Sequence, residues 1–437
     1  MLNIVNLFEY PNIDYGVFSI ERTLERVNQN LHPGVGQYSR VWTDDNDVYL
    51  VRDPLGCNKL FYGFTDEGEL VVANRIEKAL MHGINLDNLF SCPAGRLIRI
   101  SPDKIVSVYG EDISSRKPDT NFKIDIFQDE LTKMLEESFL WIKSTFPHST
   151  FVVCLSGGMD STAIASLAKK YLNRIYAVSF SFLSEQDFEA WLEGKTIDKL
   201  ESASDDFITA FKIAKILNIP FFPVFRVGTA VLSSLQTAVR LCQDWRDFNV
   251  HCAVVNHFLA QDIRSFFPAS EVFVLTGDLM NEFICDYHEE EIEGTIYYPQ
   301  PRVTLENRRR FFVRGLDAGD RELGVFNAFG LTVCQIFATV VEQYLRIPGD
   351  VLERDNIKAV LNMHMLAPEV RENVSQTKRR AQVGGADGGV LGIIHRYGLD
   401  QQLLEKIWLS SLPKQNRVKN PLDIIQFGRY RVGSNGG

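Results

Sequence analysis

The sequence predicts an α/β protein built on a parallel sheet, and three stretches predict it. Phe151 to Leu155 is an apolar, β-branched run that ends in Ser156-Gly157-Gly158, after which Ala163, Ile164, Leu167, Ala168 and Tyr171 recur at helical spacing. Ile175 to Phe182 is a second buried run, followed by an amphipathic helix over Asp205 to Asn218 and a third run over Ile219 to Val224. Phe273 to Thr276 is a further apolar strand, ending in Gly277. Strand, helix and strand in series require right-handed crossovers and a parallel sheet.

The first junction carries chemistry. Two glycines let backbone N–H groups approach a ligand, and the N-terminus of the following helix adds positive potential. Together they make an anion cradle suited to a phosphate chain. Asp160 would repel phosphate unless Mg²⁺ sits between them, the usual arrangement of that ion with carboxylates and phosphate oxygens. Leu155, Ser156, Gly157, Gly158, Asp160 and Ser161 are therefore the expected nucleotide-binding residues, with Asp160 a metal ligand. Ser179 stands at the C-terminal end of the next strand, where an open α/β sheet places adenosine.

The 437 residues suggest two or three domains, and 45% hydrophobic content is ample for packed cores. A net charge of −10 argues against a general nucleic-acid surface. No apolar run approaches the about 18 residues of a membrane span. Met1 to Val5 has neither a basic region nor a cleavage site, and seven cysteines show no C-x-x-C spacing, so reduced thiols in a cytoplasmic protein are expected. Oligomeric state is not readable; a homodimer is compatible with the sequence.

In chain order, residues 1 to about 115 are expected to be β-rich. Tyr38 to Trp42, Asp47 to Val51, Leu70 to Ala73 and Arg96 to Ile100 read as strands, and Ile76 to His82 as a short helix. Polar Ser114 to Asn121 reads as a linker. Ile124 to Ile142 is a helix by periodicity, with Asp125 as its cap. Residues 183–203 read as an irregular excursion or lid. Thr229 to Asp262 reads as largely helical; Asp244, Arg246, Asp247 and His251 read as structural, with a part in a substrate pocket as the alternative. Glu289 to Glu291 and Arg308 to Arg310 read as solvated charges or a lid.

Ser156-Gly157-Gly158-Met159-Asp160-Ser161 resembles the Ser-Gly-Gly-x-Asp-Ser loop of the ATP pyrophosphatases, the PP-loop. Val51 to Tyr62, with Arg52, Asp53 and Gly56, is similar to a signature of glutamine amidotransferase domains, and Ala73 to Leu80 to the segment that follows it in asparagine synthetases. Thr276-Gly277-Asp278-Leu279-Met280-Asn281 resembles the Ser-Gly-Glu-Gly-Ala-Asp segment of asparagine synthetase and the Thr-Gly-Tyr-Gly-Ser-Asp segment of β-lactam synthetase. The chain thus resembles the asparagine synthetase and β-lactam synthetase superfamily. The resemblance implies an N-terminal-nucleophile-hydrolase-like α/β sandwich over 1–115 and a PP-loop (adenine nucleotide alpha hydrolase-like) synthetase domain over 122–430, with a parallel sheet and helical additions.

The resemblance also implies site residues. Gly277 joins the ATP site, Asp278 stands near the reacting carbonyl, and Asn281 replaces a metal-binding Asp, with Asp278 or Glu282 as the alternative second carboxylate. Arg314 and Glu322 match an arginine and a glutamate of the family, Glu322 partnering the group that deprotonates the amine. Lys378 matches a lysine that neutralises pyrophosphate and the tetrahedral intermediate, with Arg379 and Arg380 competing for that role. Catalysis is thereby assigned to Asp278, Lys378 and Glu322, metal to Asp160 and Asn281, and the cofactors are ATP and Mg²⁺. Position 2 is Leu2 where working glutaminases of this type expose Cys, and exposing Cys57 by cleavage would destroy the domain, so glutamine-independent chemistry is expected. The implied activity is a carbon–nitrogen ligase that adenylates a small-molecule carboxylate and passes the acyl group to a substrate amine in specialised, antibiotic-like metabolism. An ammonia-using asparagine-synthetase-like enzyme and a non-catalytic protein that keeps the fold stay open. A tRNA-modifying PP-loop enzyme fits the charge and the N-terminal segment poorly.

Overall fold

The structure, a computed structural model, describes residues 2–14, 19–29, 34–44, 46–110, 112–315, 319–375 and 380–413. The described residues among the first 109 form ten strands: β1 Ile4–Leu7, β2 Ile13–Asp14, β3 Gly36–Gln37, β4 Ser39–Asp44, β5 Asp47–Arg52, β6 Phe61–Phe64, β7 Leu70–Ala73, β8 Leu89–Ser91, β9 Leu97–Ile100 and β10 Val106–Tyr109. They form two four-stranded sheets, ordered β1-β7-β6-β8 and β10-β9-β5-β4, and a small β2-β3 ladder. Period-two alternation gives each sheet two apolar faces. The inner faces meet through Leu50, Tyr62, Val72 and Ile98. Helix α1, Ile20–Asn28, covers one outer face through Val27 on Tyr49, Val51 and Leu97. Helix α2, Ile76–Met81, covers the other through Ile76, Ala79 and Leu80. The result is a four-layer α-β-β-α sandwich. Helix α1 is absent from the sequence reading, because most of its residues are charged or polar.

In the Arg52-Asp53 signature both side chains do structural work. Buried Arg52 donates from Nε to the Asn58 carbonyl at 2.6 Å and from Nη1 to the Cys92 carbonyl at 3.0 Å. Asp53 accepts from the backbone N–H groups of Cys57 at 2.9 Å and Asn58 at 2.8 Å. The loop between β5 and β6 is stapled from both sides.

Helix α3, Ile124–Thr145, begins the second part and lays Phe127, Leu131, Leu135 and Phe139 on its core. Its N-cap is Lys123; Asp125 lies inside the first turn, where a carboxylate meets the positive end of the helix without capping it. The main sheet then runs through β11 Thr150–Cys154, β12 Ile175–Phe182, β13 Phe221–Arg226 and β14 Val272–Thr276, with a peripheral hairpin of β15 Glu290–Ile292 and β16 Thr295–Tyr297, and closes with β17 Thr332–Gln335. The sheet is all parallel, in the order β13-β12-β11-β14-β17. Helices α4 Met159–Tyr171 and α6 Asp205–Ile216 pack one face; α7 Ala230–Cys242 and α8 Asp247–Phe266 pack the other. Residues 183–203 are not irregular: helix α5, Glu185–Leu192, sits there, capped by Ser184 accepting from Asp187 N.

The strand order reverses between β11 and β14, so the ends of those two strands open the crevice where such sheets take ligands. Short helices α9 Met280–Ile284 and α10 Leu305–Gly315 follow β14. The arginine run in α10 is only partly solvated. Arg309 is buried and donates from Nη1 to the Ile347 carbonyl at 2.8 Å, whereas Arg310 pairs with Glu306 at 2.8 Å on the surface. Among the described residues no helix is long and apolar enough to cross a membrane.

Candidate active site

At the end of β11 the chain turns through Gly157, whose φ of +76° only glycine adopts without strain. A Cβ there would lie 2.8 Å from Thr209 Cβ, so the turn is also jammed against α6. Gly157 does not wall the cavity; its carbonyl accepts from Ser375 N at 3.1 Å. Ser161, in the first turn of α4, folds back so that its Oγ accepts from Ser156 N at 3.1 Å and lies 3.0 Å from Ser156 Oγ. Gly277, at the end of β14, crosses this turn so closely that a Cβ would sit 2.7 Å from Ser161 N. Two strand ends are thereby locked side by side.

They open into a cavity of about 730 Å³. Leu155, Ser156, Gly158, Asp160, Ser161, Ser179 and Gly277 line it, as do Asp278, Asn281 and Glu322. Lys378 lies outside the described residues.

One cation dominates the Asp160 side. Lys358, in the short helix Ile357–Asn362, donates from Nζ to Asp160 Oδ2 at 2.7 Å, Asn281 Oδ1 at 2.8 Å and Asp286 Oδ2 at 3.0 Å. Burial would lower the pKa of this ammonium, but the two carboxylates outweigh it and hold the group above its ordinary value. Three oxygens from two segments thus surround one positive centre, and Asp160 Oδ1, also buried, has no partner among the described residues. Neither Lys358 nor Asp286 stands out in the sequence. The donor set of two carboxylates and one amide oxygen is of the hard type that Mg²⁺ accepts. Glu282, the alternative second ligand, is turned elsewhere.

On the far side the charges form a chain. Arg321 donates from Nε to Glu322 Oε1 at 2.6 Å and from Nη2 to Glu282 Oε1 at 3.1 Å. Tyr287 also donates to Glu282 Oε1, at 2.5 Å. The Arg321 guanidinium lies over the Phe248 ring at 4.6 Å. Burial pushes Glu322 up to about 7, opposed by Arg321 and reinforced by Asp278. Burial raises Asp278 as well. The arginine at this site is Arg321; Arg314, the residue expected from the family pattern, points to the surface and pairs with Asp112 at 2.9 Å.

Asp244, Arg246 and His251 are structural, as expected. Fully buried Asp244 takes Nε and Nη2 of Arg246, and His251 Nδ1 pairs with Tyr298 Oη at 2.7 Å. Burial drives the imidazole down to about 3, so it stays neutral.

The sandwich reaches the same region. Tyr10 donates to Asp320 Oδ2, Gln243 Nε2 donates to that oxygen at 3.0 Å and to the Asn74 carbonyl at 3.0 Å, and Arg75 Nη2 donates to the Gly324 carbonyl at 2.7 Å. Asp320 Oδ1 accepts from Gly324 N at 2.8 Å. Residues of both parts therefore bracket the turn that presents Arg321 and Glu322.

Residues 148–312 match the asparagine synthase family model. The chain is 32% identical over 142 residues to asparagine synthetase B [glutamine-hydrolyzing] of Escherichia coli (strain K12), covering 31% of this chain and 23% of that protein. It is 32% identical over 85 residues to 7-cyano-7-deazaguanine synthase of Aquifex aeolicus (strain VF5), covering 20% of this chain and 34% of that protein. The matched part therefore spans about a quarter to a third of these relatives. A glutamine-dependent NAD⁺ synthetase from Acinetobacter baumannii aligns over 93% of this chain and 61% of its own at 14% identity and a TM-score of 0.30, too low to compare sites.

Proposed function

From the membership of residues 148–312 in the asparagine synthetase superfamily, with its PP-loop domain, we propose that this protein is an ATP-dependent, AMP-forming carbon–nitrogen ligase. It activates a substrate carboxylate as the acyl-adenylate and joins it to a substrate amine without using glutamine. The observation that carries the reading is the meeting of the Ser156–Ser161 loop, the Asp160–Lys358 cluster and the Asp278–Glu322 pair in one cavity.

The Ser156 and Ser161 hydroxyls and the N-terminus of α4 bind the triphosphate, and Ser179 lines the adenosine side. Asp160, Asn281 and Asp286 would hold Mg²⁺, which when bound screens the phosphate charge. The Lys358 ammonium moves from the carboxylates to the phosphates as they enter. The substrate carboxylate oxygen forms a bond to the α-phosphorus, and pyrophosphate leaves. The amine nitrogen then forms a bond to the acyl carbon, the carbon–oxygen bond to AMP breaks, and the amine proton passes to Glu322. A carboxylate poised near neutrality suits that transfer, and Arg321 fixes its direction. Lys378 remains the candidate for stabilising the tetrahedral intermediate. Glutamine independence is supported by the cysteines of the sandwich: Cys57 and Cys92 are both buried, and burial together with Asp53 raises the Cys57 thiol well above its ordinary range. The role in specialised metabolism and the cytoplasmic location belong to the same proposal.

The test is nucleotide product analysis with Mg-ATP and a panel of amino acids and amines, with glutamine, ammonia or neither. AMP formed without glutamine, and lost in Asp160→Ala, is the expected result. AMP only with ammonia moves the reading to an asparagine-synthetase-like enzyme. ADP as product overturns it. Mg-ATP binding without turnover in the presence of the full panel favours a nucleotide-binding protein whose cation seat is kept by Lys358.

A further inference from the structure

Beyond Arg321 and Glu322 lies a second chamber of about 400 Å³. It shares Phe248, Tyr287, Arg321, Glu322 and Arg380 with the nucleotide cavity, so the two spaces adjoin at the candidate base. On the opposite side its wall is Cys57 and Lys59 of the sandwich. We infer that this chamber holds the amine substrate, and that the amine carries an aromatic-sized apolar body rather than being ammonia. The inference rests on the ligase reading above and names the substrate class of that site.

Size is the first argument. A molecule as small as ammonia fills roughly the 30 Å³ of a water, less than a tenth of the space. Lining is the second. Phe248, Tyr287, Tyr298, Phe311 and Phe312 all face the chamber. Rings at Phe248–Tyr298 and Tyr287–Phe312 stand edge-on, at 5.2 and 5.1 Å. Such a wall favours a planar apolar body.

Charge is the third argument. The described basic groups there are already engaged: Arg246 by Asp244, Arg321 by Glu282 and Glu322, Arg380 by Glu290 at 3.3 Å and the His288 carbonyl, and Lys59 by the Gly56 carbonyl at 2.8 Å. Asp247 is different. Its carboxylate accepts from the backbone N–H groups of Phe248, at 2.6 Å, and Tyr298; burial raises it, Arg246 draws it back from a distance, and it makes no direct ion pair among the described residues. Glu282 Oε2 is likewise buried without a partner. Among the described residues, Asp247 and one oxygen of Glu282 are thus left to take a cation, which suits an ammonium. The adenylate must form at the phosphates, on the other side of Glu322. An amine in the chamber has its nitrogen directed at that glutamate.

The experiment is calorimetric titration of the full chain with three probes: 2-phenylethylamine, butylamine and ammonium chloride. Expected are binding of 2-phenylethylamine at least about tenfold tighter than butylamine, no heat from ammonium, and a loss of about tenfold or more for 2-phenylethylamine in Asp247→Asn and Phe312→Ala. Mg-ATP affinity stays at the wild-type value in Asp247→Asn, which changes charge and almost no volume. Should Phe312→Ala fail to fold, Asp247→Asn carries the test alone. Equal affinity for the two organic amines, no binding of 2-phenylethylamine, or wild-type binding by a folded Asp247→Asn overturns the inference. Mg-ATP binding and AMP formation without aromatic-amine binding overturn the chamber assignment and leave the ligase. Aromatic-amine binding without AMP formation overturns the ligase and leaves the ligand class of the chamber.

Discussion

Lys358 reaches Asp160 across 2.7 Å from a helix that lies 198 residues further along the chain, and its ammonium occupies the point on which Asn281 and Asp286 also converge. Removing it in Lys358→Met leaves two carboxylates facing each other in a half-dry site. Breaking one side of such a pair costs on the order of 3 kcal/mol. The melting temperature of Lys358→Met is expected to fall by several degrees in metal-free buffer, and millimolar MgCl₂ is expected to restore more of that loss than it adds to the wild type. Equal responses of the two proteins to MgCl₂ in thermal melts would show that these oxygens do not hold a divalent cation.

Glu322 makes a prediction in pH. Its folded value of about 7 lies above the ordinary 4.5, so between these values the folded chain binds a proton that the unfolded chain has released. Stability from this group is therefore fully present below about pH 4.5 and is lost as pH rises through 7, by about 3 kcal/mol in total. Glu322→Gln should flatten that part of the stability–pH curve measured by urea unfolding. In turnover the order reverses, because the carboxylate form accepts the amine proton. Amide formation should rise through pH 7 in the wild type. Glu322→Gln should lose on the order of 100-fold or more while keeping ATP–pyrophosphate exchange. Loss of exchange to the same degree would move Glu322 from proton transfer to adenylate formation.

What the sequence made legible was local. A buried parallel strand is a continuous apolar run, and the Ser156–Ser161 turn bonds within itself, so both can be read from neighbours along the chain. That the sheet is parallel follows from such runs and the handedness of crossovers, whereas the order β13-β12-β11-β14-β17 and the strand β17 were not read from the sequence. Tertiary choices were not legible. Arg314 and Arg321 stand seven positions apart, and only folding sends one to Asp112 and the other to Glu322. Arg309 lies in an arginine run that reads as solvated, yet it satisfies carbonyls at Tyr344 and Ile347. Lys358 has no local signature, since its partners come from two other segments. Helix α5 escaped notice because it is only eight residues long and opens on a charged first turn, which leaves too short a span to show a period.

The glycines of the cradle should separate cleanly. Gly157→Ala forces an L residue to φ +76° and drives Cβ into Thr209, for a loss on the order of 3 kcal/mol. Gly158 has an ordinary φ, and a Cβ there meets only Ser156 Oγ at 3.5 Å, so Gly158→Ala should melt near the wild type. Its cost should fall on the ligand, since the added methyl stands where phosphate approaches the start of α4. Thermal melts and Mg-ATP titration of the two variants check this. A Gly158→Ala protein with wild-type ATP affinity would move the triphosphate away from this turn.

The sandwich should matter to the site through Asp320. Tyr10 and Gln243 both donate to its Oδ2, its Oδ1 holds Gly324 N, and Arg75 holds the Gly324 carbonyl. A Cβ on Gly324 would lie 2.5 Å from Asp320 Oδ2, so the turn has no slack. Tyr10→Phe leaves the ring in place and removes one buried donor, at a cost of about 1 kcal/mol. Amides of 320–326 should then exchange roughly five- to tenfold faster, the kinetic equivalent of that energy, while Mg-ATP affinity is unchanged. A double-mutant cycle with Asp320→Asn should show coupling of about 1 kcal/mol, because the two side chains share one hydrogen bond. Additive effects and unchanged exchange would mean that the sandwich packs against this turn without fixing it. Coupling with faster exchange would mean that a domain whose cysteines are buried still acts on the chemistry, by holding Arg321 and Glu322 in register with the nucleotide.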